Sequence, residues 1–195
     1  NDMAATLAKV KATNPDVLAL SGHSKGALTA IRQISEMQVD VPMLAMTHCD
    51  ASKLAKQHGK KSEYALCAAQ WHKTLTYKDD FFGDGMKYDN DFNMEFGYAP
   101  PYQAAESSAA LLVWKDAFER ANSFDTEKVR DALSKTDMQT FYGNIKFADT
   151  GQNTAKPMVL FQVRCEGDTC ENKVVAPTKW ASAELVHPTP KWSER

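Results

Sequence analysis

The chain has 195 residues, of which 43% are hydrophobic and 25% charged, an ordinary composition for a folded soluble protein with one good core or two smaller ones. Its formal net charge is −2 and acidic and basic residues are interspersed, so nucleic acid is not an expected partner. The sequence has no run of 18 apolar residues, and its first residues lack the pattern of a signal peptide. We therefore expect a protein that neither spans a membrane nor carries a signal.

The first 70 residues predict alternating helices and strands. Helices are expected to begin at Asp2 and at Ser24, and a polar helical stretch is expected over residues 51–58. Short apolar strands are expected at 17–20, 43–46 and 64–69. Helices that connect consecutive strands place those strands parallel in one sheet, with right-handed crossovers.

The character of the sequence changes near Trp71, where aromatic, Asp, Asn and Gly residues become frequent. The spacing of apolar residues predicts helices over 86–96 and 103–121, and a third helix that Asp125 caps. A β segment with a Tyr-Gly-Asn turn is expected over 141–147, and strands are expected over 158–163 and 173–175. The sequence therefore predicts two α/β units that are joined through a loop near residues 71–80.

The four cysteines give an indication of the compartment. Cys165 and Cys170 flank the turn residues Gly167 and Asp168, so a hairpin would bring their thiols together in a disulfide. The alternative is two free thiols on a loop. Cys49 and Cys67 lie in apolar runs and are expected to be buried thiols. A disulfide would indicate an oxidising compartment.

The residues Gly22-His23-Ser24-Lys25-Gly26 match the G-x-S-x-G pattern of a nucleophile elbow, between a strand and a helix. A serine hydrolase that used Ser24 would take Asp50 as its acid and His187 as its base. However, few residues precede the motif, and no strand precedes His187. The favoured interpretation is a strand-to-helix turn in which Ser24 is the N-cap.

Several longer segments resemble a known family. Residues 96–105, Phe-Gly-Tyr-Ala-Pro-Pro-Tyr-Gln-Ala-Ala, precede an alanine-rich helix and the segment 123–133. Together with residues 141–143, 151–157 and 174–177, they resemble the type I periplasmic binding proteins of the branched-chain amino acid group. The resemblance extends from Asp2 to Trp192 and depends on the order and spacing of the segments.

The resemblance implies an α/β fold with two Rossmann-like lobes and a hinge, of which this sequence would cover the carboxyl-terminal portion. Residues 1–70 and 151–195 would belong to the carboxyl-terminal lobe, and 71–150 to the amino-terminal lobe. The implied protein is a periplasmic or extracellular binding protein, peripheral to the membrane, that delivers a small ligand to an ABC transporter permease. It is not an enzyme and needs no cofactor or metal. A sensory receptor module with the same fold is a further alternative.

Ligands of such sheets bind beyond the carboxyl ends of the strands. This rule selects the loop with His23 and Ser24, and the loop with Thr47, His48 and Asp50. Tyr102 is a weaker candidate from the other lobe. The resemblance implies an acid near His48 in relatives that bind α-amino acids. The expected ligand is an amino acid, an amide or a small carboxylate. Because a neutral histidine does not neutralise an ammonium group, an amide, a small organic acid or an aromatic carboxylate is an alternative to an α-amino acid.

Overall fold

The computed structural model describes residues 2–49, 54, 57–156 and 158–195. The chain forms two compact units, which we call unit 1 (residues 1–69 and 159–195) and unit 2 (residues 70–158). The second boundary lies at residue 158, later than the expected 150, because the chain after Phe147 folds back within unit 2. There the amide of Thr154 donates to the carbonyl of Lys146 at 3.0 Å. The assignment of these units to lobes stays a prediction.

The described elements, in chain order, are α1 Ala4–Thr13, β1 Val17–Leu20, α2 Ser24–Glu36, β2 Met43–Met46, β3 Leu66–Ala69, β4 Lys78–Asp79, β5 Gly83–Asp84, α3 Gly85–Phe96, α4 Tyr102–Ala121, α5 Thr126–Ser134, β6 Asp137–Thr140, β7 Gly143–Lys146, β8 Val159–Glu166 and β9 Thr169–Ala176. Leu54, Gln57 and His58 are also helical, and the rest of the expected 51–58 helix lies outside the described residues. No described helix is both long enough and apolar enough to cross a membrane.

Unit 1 is built on a five-stranded sheet in the order β1-β2-β3-β8-β9. The first three strands are parallel, as their alternation with helices predicts, and β8 and β9 join antiparallel. Helix α2 buries Ala27, Ile31 and Ile34, which follow one another at helical spacing. Its first residue is Ser24, and His23 occupies the N-cap position. The expectation that Ser24 is the N-cap was therefore wrong by one residue.

The last ten residues of the chain pack at the amino edge of the unit 1 sheet, the edge where β2 begins. The backbone amide of Thr189 donates to the carbonyl of Pro42 at 3.0 Å. The indole Nε1 of Trp192 donates to the carbonyl of Val39 at 3.1 Å. The guanidinium of Arg195 lies 4.0 Å from the centre of the Trp192 ring. The tail therefore covers the amino edge with hydrogen bonds and a cation–π contact.

Unit 2 combines three helices with two short hairpins around an aromatic core. The ring of Phe141, which is fully buried, stacks on Tyr88 at 4.2 Å between centroids and meets Trp71 edge-on at 6.1 Å. Asp84 and Asp125 cap α3 and α5 by accepting from backbone amides. A β segment was expected over 141–147 with a turn at residues 142–144. The turn instead lies at residues 141–142, between β6 and β7, which pair as a hairpin.

Candidate ligand-binding site

The loops after β1 and β2 are hydrogen-bonded to each other at the carboxyl edge of the unit 1 sheet. Leu20 and Met46 are register partners in parallel strands, so both loops leave the sheet at the same level. The amide of Gly22 donates to Oγ1 of Thr47 at 2.9 Å, and that hydroxyl donates to the carbonyl of Gly22 at 3.0 Å. The Thr47 hydroxyl is therefore engaged in joining the two loops, although the sequence suggested that it contacts the ligand.

Two of the predicted ligand contacts meet at this edge. The imidazole rings of His23 and His48 lie 5.1 Å apart between centroids, at an interplanar angle of 56°. His23 is exposed, whereas His48 is half-buried. Nδ1 of His48 is enclosed and has no hydrogen-bond partner among the described residues. Because this nitrogen is enclosed, a solute would contact His48 through the exposed part of the residue.

The other predicted site residues are more dispersed. Ser24 is half-buried at the first turn of α2, adjacent to His23. Asp50 lies outside the described residues. Tyr102 belongs to unit 2, where it is the first residue of α4 and is half-buried. The structure thus brings His23, Ser24, Thr47 and His48 into one edge of unit 1.

The geometry does not assemble the hydrolase triad suggested by the G-x-S-x-G motif. Ser24 lies at the carboxyl edge of the sheet, just after β1. His187 is exposed and lies two residues before Thr189, whose amide and hydroxyl both bond to the segment preceding β2. The base and the nucleophile therefore lie at opposite edges of the sheet, separated by the length of a four-residue strand, about 13 Å. His187 does not reach the Ser24 hydroxyl.

A family model described as periplasmic binding protein matches residues 1–169 of the chain. The chain belongs to the periplasmic binding protein family. Members of this family are substrate-binding proteins.

Solved structures of periplasmic binding proteins show the same fold. The leucine-binding protein of Thermotoga maritima is 23% identical, with a TM-score of 0.75 over 91% of this chain and 49% of its own. The branched-chain amino acid binding protein of Streptococcus pneumoniae, solved with isoleucine, is 16% identical, with a TM-score of 0.71 over 90% of this chain and 49% of its own. A solute-binding protein of R. palustris, solved with benzoate, is 14% identical, with a TM-score of 0.64 over 94% of this chain and 50% of its own. The chain therefore has the type I fold and spans about half the length of these relatives.

Two disulfides lie at opposite edges of the unit 1 sheet. Cys165 and Cys170 are register partners near the tip of the β8–β9 hairpin and form the disulfide that their spacing predicts. Cys49 and Cys67, expected to be free thiols, are also joined in a disulfide. That expectation was wrong because the neighbouring parallel strands β2 and β3 bring the two residues together across 18 positions of sequence. The available signal was that Cys49 follows one predicted strand and Cys67 lies within the next.

Unit 2 contains a separate group of polar residues that sequence reasoning missed. Lys156 lies in a cavity of about 1120 Å³, with Nζ 4.2 Å from the centre of the Tyr142 ring. Burial lowers the pKa of Lys156 to about 8, and the negative charge of Glu106 acts in the opposite direction. Burial also raises the pKa of Tyr142. Lys156 donates to the carbonyl of Gln70, so its amine is already engaged within unit 2.

Proposed function

We propose that this chain is part of the substrate-binding component of an ABC importer, and that it captures a small solute at the carboxyl edge of the unit 1 sheet. The observation that carries the proposal is the meeting of His23 and His48 at that edge. Loops beyond the carboxyl ends of parallel strands are where open α/β sheets bind ligands. The proposal places the protein in the periplasm or outside the cell, with a membrane permease as its partner.

The chemistry of this edge favours a solute with oxygen acceptors, such as a carboxylate or an amide. A neutral imidazole supplies one N–H donor, and a protonated imidazole supplies two and a positive charge. The first backbone N–H groups of α2, beside Ser24, add donors and a partial positive charge. The solved relatives hold isoleucine in one case and benzoate in another, so the fold accepts ligands with and without an ammonium group. Asp50, the acid of this loop, lies outside the described residues.

The same geometry supports binding of the solute without a chemical reaction. The hydrolase alternative takes His187 as the base for Ser24, and His187 belongs to the other edge of the sheet. The described residues at the carboxyl edge donate hydrogen bonds and bear charge, which are the properties of a binding surface. We therefore propose that the protein binds the solute and releases it unchanged for transport.

Thermal unfolding of the full-length gene product with a panel of solutes tests the proposal. The panel contains branched-chain and aromatic amino acids, their amides, and benzoate with related small carboxylates. A solute at about 100 times its Kd adds about 2.7 kcal/mol of stability and raises the midpoint visibly. We expect a carboxylate or an amide to give the largest increase.

The His48→Ala variant removes the half-buried imidazole, and we expect it to lose most of the increase that the solute causes. His187→Ala is the matched control, because His187 is an exposed histidine at the opposite edge of the same sheet. An unchanged midpoint for the wild type with every compound of the panel would contradict the proposal. An equal response of the His48→Ala and His187→Ala variants would show that the solute binds elsewhere.

A further inference from the structure

His48 is held from both sides along the chain. On its amino side, Thr47 is bonded to the β1 loop through Gly22 and donates its own amide to the carbonyl of Leu20 at 3.0 Å. On its carboxyl side, Cys49 is bonded covalently to Cys67 of β3. The residue that presents the candidate ligand contact is therefore the single residue between two fixed points.

The disulfide attaches this loop to the most enclosed part of unit 1. Cys67 is fully buried and pairs with Met46 of β2 on one side and Phe161 of β8 on the other. Cys49 is 2% exposed. A strand with partners on both sides is among the least mobile parts of a sheet. The bridge therefore transmits the rigidity of β3 to a loop that has no other covalent support.

The backbone of His48 is in a conformation that needs such support. Its φ angle is 52°, in the left-handed region that non-glycine residues seldom occupy. Residues in this region keep it only where the surroundings leave no alternative. With Thr47 and Cys49 fixed, the loop directs the His48 ring toward His23 at 5.1 Å.

We propose that the Cys49–Cys67 disulfide is a positioning device for His48, which holds the imidazole in its ligand-binding orientation before the solute arrives. This inference rests on the proposed function and deepens it. Binding sites on loops lose affinity when the loop must be ordered at the moment of binding. Ordering the backbone of one residue corresponds to roughly a tenfold change in affinity. Because the disulfide orders the loop before the solute binds, this loss of affinity does not occur.

The second disulfide supplies a matched control within the same unit. Cys165 and Cys170 lie near the tip of the β8–β9 hairpin. Because β8 runs antiparallel to β3, its carboxyl end lies toward the amino edge of the parallel strands, away from His48. Removing this bridge takes away a disulfide from unit 1 without touching the loop that carries His48.

The experiment measures the Kd of a panel solute by titration calorimetry for the wild type, the Cys49→Ala/Cys67→Ala variant and the Cys165→Ala/Cys170→Ala variant, each as the full-length gene product. We expect binding to weaken about tenfold or more in the first variant and less than about twofold in the second. Thr47→Val is a further variant that releases the other side of His48 and leaves the buried bridge intact, so it tests the same positioning if the first variant does not fold. We expect it to weaken binding in the same direction.

A double-mutant cycle separates positioning from a general structural role. If the disulfide acts through His48, its removal should cost much less affinity in a His48→Ala background than in the wild type. Equal losses in both backgrounds, or losses equal to those of the control variant, would overturn the positioning role. A wild type that binds the solute while Cys49→Ala/Cys67→Ala binds it within twofold would overturn this inference alone. A wild type that binds no compound of the panel would overturn the proposed function with it.

Discussion

The two units are stabilised by different kinds of contact. Unit 1 surrounds its sheet with aliphatic side chains and has two disulfides, one near each edge. Unit 2 contains no cysteine, and its core is a group of aromatic rings around Phe141. Strands and covalent bridges hold polar loops at a defined edge, whereas packed rings mainly hold helices together. Loss of a ring should therefore unfold unit 2, and loss of a bridge should disturb a loop of unit 1.

The largest expected effect is that of Phe141→Ala on unit 2. This ring is fully buried and stacks on Tyr88, so its removal leaves a cavity and should cost about 3–5 kcal/mol. Phe124→Ala is the control, since the Phe124 side chain is 88% exposed. Hydrogen exchange resolved by segment is the measurement: amides of residues 70–158 should lose protection in the first variant and keep it in the second. Equal loss of protection in both units would show that the aromatic core does not stabilise unit 2 separately from unit 1.

A smaller effect is expected from Trp192→Ala in the tail of unit 1. The variant removes the hydrogen bond to the carbonyl of Val39 and the ring on which Arg195 lies, at a cost of about 1–3 kcal/mol. Trp192→Phe keeps a ring and loses the hydrogen bond, so it should cost about 1 kcal/mol. Denaturant titration of both variants measures the difference. Because the tail packs at the amino edge, a changed solute Kd in either variant would contradict the separation of the two edges.

The smallest effect is the pH dependence that Lys156 gives to unit 2. Its pKa is about 8 in the folded state and 10.5 when unperturbed, so the unfolded chain binds more protons between these two values. Stability should therefore rise with pH across this window, by about 1 kcal/mol because the side chain is only partly buried. Lys156→Met should lack this rise, whereas Lys128→Met, at an exposed position, should keep it. If the free energy of unfolding changes equally with pH between 8 and 10.5 in the wild type and both variants, Lys156 is not buried.

Much of unit 1 could be predicted from the sequence because its strands are apolar and its helices are amphipathic. The expected bounds of β1 and β2 agree with the structure, as does the parallel order of the first three strands. The loop residues His23 and His48 followed from the rule that ligands bind beyond the carboxyl ends of strands. The sequence does not give the register between β1 and β2, so it could not predict that the two imidazole rings lie close together.

The features that the sequence did not reveal depend on long-range contacts or on polar strands. Strand β6, with the sequence Asp-Met-Gln-Thr, has no apolar alternation and is stabilised by its pairing with β7. The Cys49–Cys67 bridge depends on two strands that become neighbours only in the sheet. The lowered pKa of Lys156 depends on its burial beside Tyr142, and no local sequence motif links these two residues.

The pairing of Ala69 with Val159 has a consequence for how the protein is made. These two residues are the last of unit 1 before unit 2 and the first after it, so unit 2 is an insertion between two adjacent strands. On the ribosome, β3 emerges long before β8, and its free edge must wait until residues 70–158 have been synthesised. Unit 2 is one continuous segment of this sequence, and all of residues 70–158 are synthesised before β8. We therefore expect the sheet that carries the histidine pair to close late in biosynthesis, after the inserted unit has folded.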